Sequence, residues 1–225
     1  MKKLFGIKGG KRNDVIINDV IINNLIKPKP IMKRTIILDP AHGADVAGKR
    51  SPDGKHRECF WSRELCTKIE NKLTQLGVIV KYSNGKNENE IGLTNRVKNM
   101  NAIDETAFVF SLHNNAAGMG DKWYNARGAS IWTTKGVTKS DNFASIIFMQ
   151  LLKDFPDITN WRKDTSDGDV DYESNFTVLT SKHPSVLLEW QFQDNMEDVK
   201  LLMDPAMNDR LVDSLVTALY QIAQS

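Results

Sequence analysis

From Arg34 onward, two hydrophobic periodicities take turns along the chain. Short runs rich in β-branched and aromatic residues read as buried strands: Arg34 to Asp39, Val78-Ile79-Val80-Lys81-Tyr82, Ala107 to Leu112, Gly128-Ala129-Ser130-Ile131-Trp132-Thr133, Phe176-Thr177-Val178-Leu179 and Val186-Leu187-Leu188. Between them, apolar residues recur at helical spacing. Trp61, Leu65, Ile69, Leu73 and Leu76 fall on one face, and Gly77 then ends the helix. A shorter helix is predicted from about Thr94 to Ala102. Phe143, Ile146, Ile147 and Leu151 mark another, ending near Phe155-Pro156, and Leu211, Leu215, Leu219 and Ile222 mark a final amphipathic one. Strands alternating with helices predict an α/β fold with a largely parallel sheet covered on both faces.

The first 33 residues follow neither pattern. Asn13-Asp14-Val15-Ile16-Ile17 is echoed by Asn18-Asp19-Val20-Ile21-Ile22, and Lys27-Pro28-Lys29-Pro30 favours an extended exit. Two repeats are too few for a solenoid. The expected organisation is an N-terminal arm or linker over 1–33, or added strands, followed by one domain over 34–225.

Composition narrows the function classes. At 225 residues with 40% hydrophobic positions, the chain can bury a substantial core. Thirty Lys and Arg nearly balance 28 Asp and Glu, for a net charge of +2, which argues against a nucleic-acid partner. Cys59 and Cys66, if on one helix, lie about 10 Å apart along its axis, beyond disulfide reach. No apolar run approaches the roughly 20 residues of a membrane span. The basic N-terminus lacks the apolar segment of a secretory signal, so export is expected by another route.

Candidate chemistry gathers at the ends of strands. His42 follows Thr35 to Asp39 within Pro40-Ala41-His42-Gly43, and His113 follows Phe108-Val109-Phe110-Ser111-Leu112. Open α/β sheets place their sites there. Two histidines with a carboxylate suit zinc, and a catalytic zinc also needs an open position and a nearby base. The loop 49–58 offers Glu58, at the expected helix start where the dipole favours a carboxylate, with His56 as the alternative ligand. Asp53 belongs more naturally to a Pro-Asp-Gly turn. Glu189, directly after Val-Leu-Leu, is costly to bury without a cation, hydrogen bonds or water, and it is the candidate base. Asp39 is a candidate to orient a ligand histidine.

Taken in order, His42, Glu58, Arg96 with Asn101, Ser111-Leu112-His113-Asn114-Asn115-Ala116 and Glu189-Trp190-Gln191-Phe192 resemble the zinc-dependent N-acetylmuramoyl-L-alanine amidases of bacterial wall turnover and phage lysis. The resemblance runs from about Arg34 to the C-terminus. It implies a central, mostly parallel sheet of about six strands flanked by helices on both faces, with the N-terminal segment as an extension. It also implies Zn²⁺ held by His42, Glu58 and His113, Glu189 as catalytic glutamate, and peptidoglycan as substrate. Arg63, Arg96 and Asn115 are candidates for substrate contact, with surface ion pairs as the alternative for the two arginines.

Two departures from the family pattern stand out. Its double glycine around the first histidine is Ala41-His42-Gly43-Ala44 here, and its small residue after the catalytic glutamate is Gln191. The run Gly48-Lys49-Arg50-Ser51-Pro52-Asp53-Gly54 looks most like phage and prophage amidases. A monomer acting on the cell wall, with no integral membrane contact, is the expected form. The rival functions are a zinc peptidase or carboxypeptidase on the stem peptide, a non-catalytic wall-binding module and a structural zinc domain.

Overall fold

The computed structural model describes residues 32–103 and 105–225, so the Asn-Asp-Val-Ile-Ile echo and the Lys-Pro-Lys-Pro exit lie outside the described residues. Six strands form one sheet in the order β2-β1-β3-β6-β4-β5. Their ranges are β1 Thr35–Pro40, β2 Val80–Tyr82, β3 Ala107–Asn115, β4 Ser130–Thr133, β5 Tyr172–Glu173 and β6 Ser185–Phe192. Strands β2, β1, β3 and β6 run parallel, whereas β4 is antiparallel to β6 and carries β5 parallel to itself at the edge. Among the described residues five helices accompany them: α1 Glu58–Gln75, α2 Leu93–Asn101, α3 Lys139–Asp154, α4 Met196–Leu202 and α5 Pro205–Gln224. The α/β architecture expected from the alternating pattern is therefore present.

Strand alternation divides the core in two. Ile36, Leu38, Phe108, Phe110, Val186 and Leu188 point to one face and pack against Leu65, Ile69 and Leu73 of α1, Phe143 and Ile147 of α3 and Leu211, Leu215 and Leu219 of α5. Ile37, Val109 and Leu187 point to the other, where the cover is smaller: Met100 of α2, with Val178 and Leu179. The helices thus cover the two faces unequally. The thinly covered face carries the site.

Three local differences from the sequence expectation have physical causes. Thr177–Leu179 is a 3₁₀ turn and not a strand, because Val178 and Leu179 serve as a lid on the second core, a use of a short apolar run that periodicity cannot tell from a strand. Strand β2 starts at Val80 because the Val78 amide is spent closing α1: it donates to the Leu73 carbonyl at 3.0 Å while Gly77 adopts φ +86°. Helix α4 was not expected, although its start is signalled by Asn195, whose side chain accepts from the Glu197 and Asp198 amides. Cys59 and Cys66, both on α1, are free and buried.

Candidate metal centre

Chain order places the histidines. From β1 the chain crosses through α1 to β2 on one side, then returns through α2 to β3 on the other, so the carboxyl ends of β1 and β3 flank the point where the crossover direction reverses. Such a point opens a crevice. His42 follows the end of β1, and His113 lies near the end of β3, directly paired with Glu189 of β6. Glu58 is the first residue of α1, whose N-terminal dipole favours its charge.

Arginine side chains hold the strained loop that carries His42. His42 adopts φ +44°, a left-handed conformation that costs about 1–2 kcal/mol for a residue with a Cβ. Its carbonyl accepts from Arg63 Nη2 at 2.5 Å and Arg96 Nη2 at 3.0 Å. Arg63 also donates to the Ala41 carbonyl at 2.8 Å, and Arg57 to the Ala44 carbonyl at 2.6 Å. Gly43 is required by a close approach, since a Cβ there would lie 2.0 Å from the Glu90 backbone nitrogen.

Three ligand-type side chains converge on this frame. One atom each from His42, Glu58 and His113 lies within 4.8 Å of the others. Glu58 is buried, with Oε1 accepting from His113 Nδ1 and the Asn114 amide, both at 3.0 Å. Its Oε2 accepts from Gln193 Nε2 at 3.0 Å and stands 3.4 Å from His42 Nε2. Burial alone would raise the Glu58 carboxyl, but the bonds from His113 and His42 outweigh it and hold it well below the usual range. Glu189 has no such partners, and burial pushes it up to about 7, against the opposing charge of His113. For His42, burial wins and the pKa is lowered. For His113, burial also lowers it, but the hydrogen bond it donates to Glu58 prevails and the pKa is raised.

Two buried polar atoms here lack a hydrogen-bond partner, His113 Nε2 and Glu189 Oε2. Both residues line a cleft of about 480 Å³ together with His42, Asn115 and Phe176. Unpartnered buried nitrogen and oxygen in one cleft are expensive unless a ligand meets them. Two imidazoles and a carboxylate at this spacing are a donor set that zinc takes.

A model of the N-acetylmuramoyl-L-alanine amidase family matches residues 36–221. The chain belongs to that family. Its fold is shared by an N-acetylmuramoyl-L-alanine amidase from Clostridium difficile 630, with a TM-score of 0.72 at 22% identity over 87% of this chain and 99% of that one. The catalytic domain of the CwlV amidase from Bacillus (Paenibacillus) polymyxa gives 0.68 at 20% identity, over 84% and 97%. The amidase Ami1 from Mycobacterium smegmatis gives 0.69 at 20%, over 86% and 98%. No curated protein sequence matches the chain. The family is that of peptidoglycan amidases, which cleave between N-acetylmuramic acid and L-alanine. None of the described helices is long and apolar enough to cross a membrane.

Within this amidase the other candidate residues take different places. Asn115 lines the cleft, its Nδ2 donating to Ser130 Oγ at 3.3 Å. Arg96 does not face it: the guanidinium is 1% exposed, bonded to Asp39 Oδ1 at 2.9 Å and to both Glu90 oxygens at 2.8 and 2.9 Å. Arg63 spends its donors on backbone carbonyls. His56 stays outside the cluster, bonded through Nε2 to Asn114 Oδ1 at 2.7 Å. Asp53 accepts from Ser51 Oγ at 2.6 Å and the Lys55 amide at 3.2 Å, as in a turn. Asp39 touches Arg96, Ser111 and Ser83 and no histidine.

Sequence reasoning gave Gln193 no role and named Asn114 only within the motif around His113. Gln193 fixes the second oxygen of Glu58, and Asn114 links His56 to the Trp190 carbonyl at 2.8 Å. Asn114 stands directly after His113 in that motif, whereas nothing in the pattern around Gln193 points to Glu58. Gln191, the departure from a small residue, sits at φ +61° where β6 bulges against β3, a conformation that favours glycine.

Proposed function

We propose that this chain is a zinc-dependent N-acetylmuramoyl-L-alanine amidase, with His42, Glu58 and His113 holding the metal and Glu189 acting as general base and then general acid. The observation that carries the reading is the convergence of those three ligand atoms within 4.8 Å, beside a second buried carboxylate that has an unpartnered oxygen. Zinc, when bound, supplies Lewis acidity that both acidifies water and polarises an amide carbonyl. The protein's own residues do the rest. Gln193 and the Asn114 amide fix the Glu58 oxygens, so the ligand carboxylate keeps one orientation. Arg63 and Arg96 hold the His42 loop from behind and are not the groups that meet peptide carboxylates. Glu189 takes the proton of the attacking water at Oε and returns it to the alanine nitrogen as the amide breaks. Asn115, on the cleft wall, is placed to hydrogen-bond the substrate.

A wall-binding module has no use for an unpartnered buried carboxylate, and a structural zinc site would close its fourth position. The resemblance of Gly48 to Gly54 to phage and prophage enzymes supports a lytic role. The test is hydrolysis of a muramoyl-L-alanyl peptide, followed by release of the alanine α-amino group. Chelation should abolish it and one equivalent of zinc should restore it. Full activity in a preparation shown by elemental analysis to hold no metal would overturn the zinc assignment.

A further inference from the structure

The sheet face that carries His113 and Glu189 continues toward the edge strands, and the proposed chemistry leaves that part unused. Directly paired strand residues point to the same face. Ser130 pairs with Glu189, Trp132 with Leu187, and Trp132 with Tyr172, so Ser130, Trp132 and Tyr172 extend the face of the base. The Trp132 ring stacks on Tyr172, with centroids 4.8 Å apart and 29° between planes, and Phe176 tilts against Trp132 at 5.3 Å. The indole N–H donates to Ser130 Oγ at 3.0 Å, and the same oxygen accepts from Asn115. The ring is therefore fixed to the cleft wall.

Phe176 is 36% exposed and borders the same cleft as His113 and Glu189, beside Asn175 and Thr177. An exposed aromatic ring with polar neighbours suits a ligand having a flat C–H face and hydroxyls at its edge, because polarised C–H groups meet the negative face of the π system. A pyranose has that shape. Of the residues lining the cleft, the lysine is Lys49, on the loop after β1, and none of the three ring residues carries a positive charge for stem-peptide carboxylates.

We propose that Trp132, Tyr172 and Phe176 form an aromatic shelf that binds the N-acetylated sugar bearing the scissile amide, which sets the glycan on the β4–β5 side of the cleft. This rests on the amidase reading and adds to it the direction in which substrate lies. The experiment compares Phe176→Ala, Phe176→Leu and Phe176→Tyr, each shown by circular dichroism to fold, on two substrates: a muramoyl-L-alanyl peptide and a D-lactoyl-L-alanyl peptide lacking the sugar. Removing the ring should raise KM for the muramoyl substrate about two- to tenfold, the range that aromatic contacts span, and leave the lactoyl substrate unchanged. Tyrosine should behave as wild type and leucine as alanine. An equal change on both substrates would assign the shelf to the peptide, and no change on either, or rescue by leucine, would remove it.

Direct binding separates this proposal from the amidase reading. N-acetylated chitotetraose, titrated into the full chain by NMR, should bind wild type and bind Phe176→Ala more weakly by a similar factor. Hydrolysis of the muramoyl peptide with no dependence of KM or oligosaccharide binding on Phe176 would end the shelf and keep the amidase. Binding that depends on Phe176 without any hydrolysis would do the reverse.

Discussion

Two carboxylates within one site have been given opposite environments. Glu58 accepts three hydrogen bonds, has His42 Nε2 at 3.4 Å and stays ionised, whereas Glu189 is left in a buried position with one oxygen free, which raises its affinity for a proton. Replacing Glu189 by glutamine keeps the shape but removes the basic oxygen. Turnover should fall about 10²–10⁴-fold while zinc content, measured by elemental analysis, stays at the wild-type level. Loss of zinc in that variant would make Glu189 a ligand. At this scale the sequence was most informative where a polar residue interrupts an apolar run: His42, His113 and Glu189 each stand out against Thr-Ile-Ile-Leu, Phe-Val-Phe or Val-Leu-Leu. Gln193 was not legible, because its partner Glu58 is 135 positions away and an amide carries no periodic signature.

Elements matter here through what they hold in place. Arg96 of α2 ties β1 to the loop before its own helix, pairing with buried Asp39 and with Glu90 while bonding the Pro40 and His42 carbonyls. Arg96→Met would leave Asp39 buried without its cation, and breaking such a pair costs about 3–5 kcal/mol. Chemical denaturation should show that loss, and an unchanged midpoint would mean that the pair is not closed in solution.

Asp171, just before the edge strand β5, supplies a pH-sensitive counterpart. Burial raises Asp171 to about 7, assisted by Asp169 and Asp141 and opposed by the bond from Thr133 Oγ1. The folded protein then keeps a proton that the unfolded chain releases near 3.8, so this group's contribution to stability declines as pH rises from about 3.8 to about 7 and is flat above. Asp171→Asn should remove that decline in melting curves taken across the window. A slope identical to wild type would assign the titration elsewhere. Periodicity found α1, α3 and α5 because each presents a long apolar stripe, but it misread 176–179, where four residues cannot distinguish a strand from a lid.

On the scale of the whole molecule, the unequal covering of the sheet explains where chemistry can occur. Three long helices seal one face, and among the described residues α2 and the 3₁₀ turn cover the other, leaving the carboxyl ends of β1, β3 and β6 open beside the aromatic edge. The alternation of strands and helices made that layering readable from sequence. The antiparallel turn of β4 and the two-residue β5 were not, because pairing direction depends on connections and not on residue pattern. The most direct test of the account is mass spectrometry of purified peptidoglycan after digestion by the full chain with zinc. The predicted products are glycan strands with free lactyl carboxyls and intact stem peptides beginning at L-alanine. Fragments cut within the stem peptide or between sugars, or a digest unaffected by removing zinc, would contradict it.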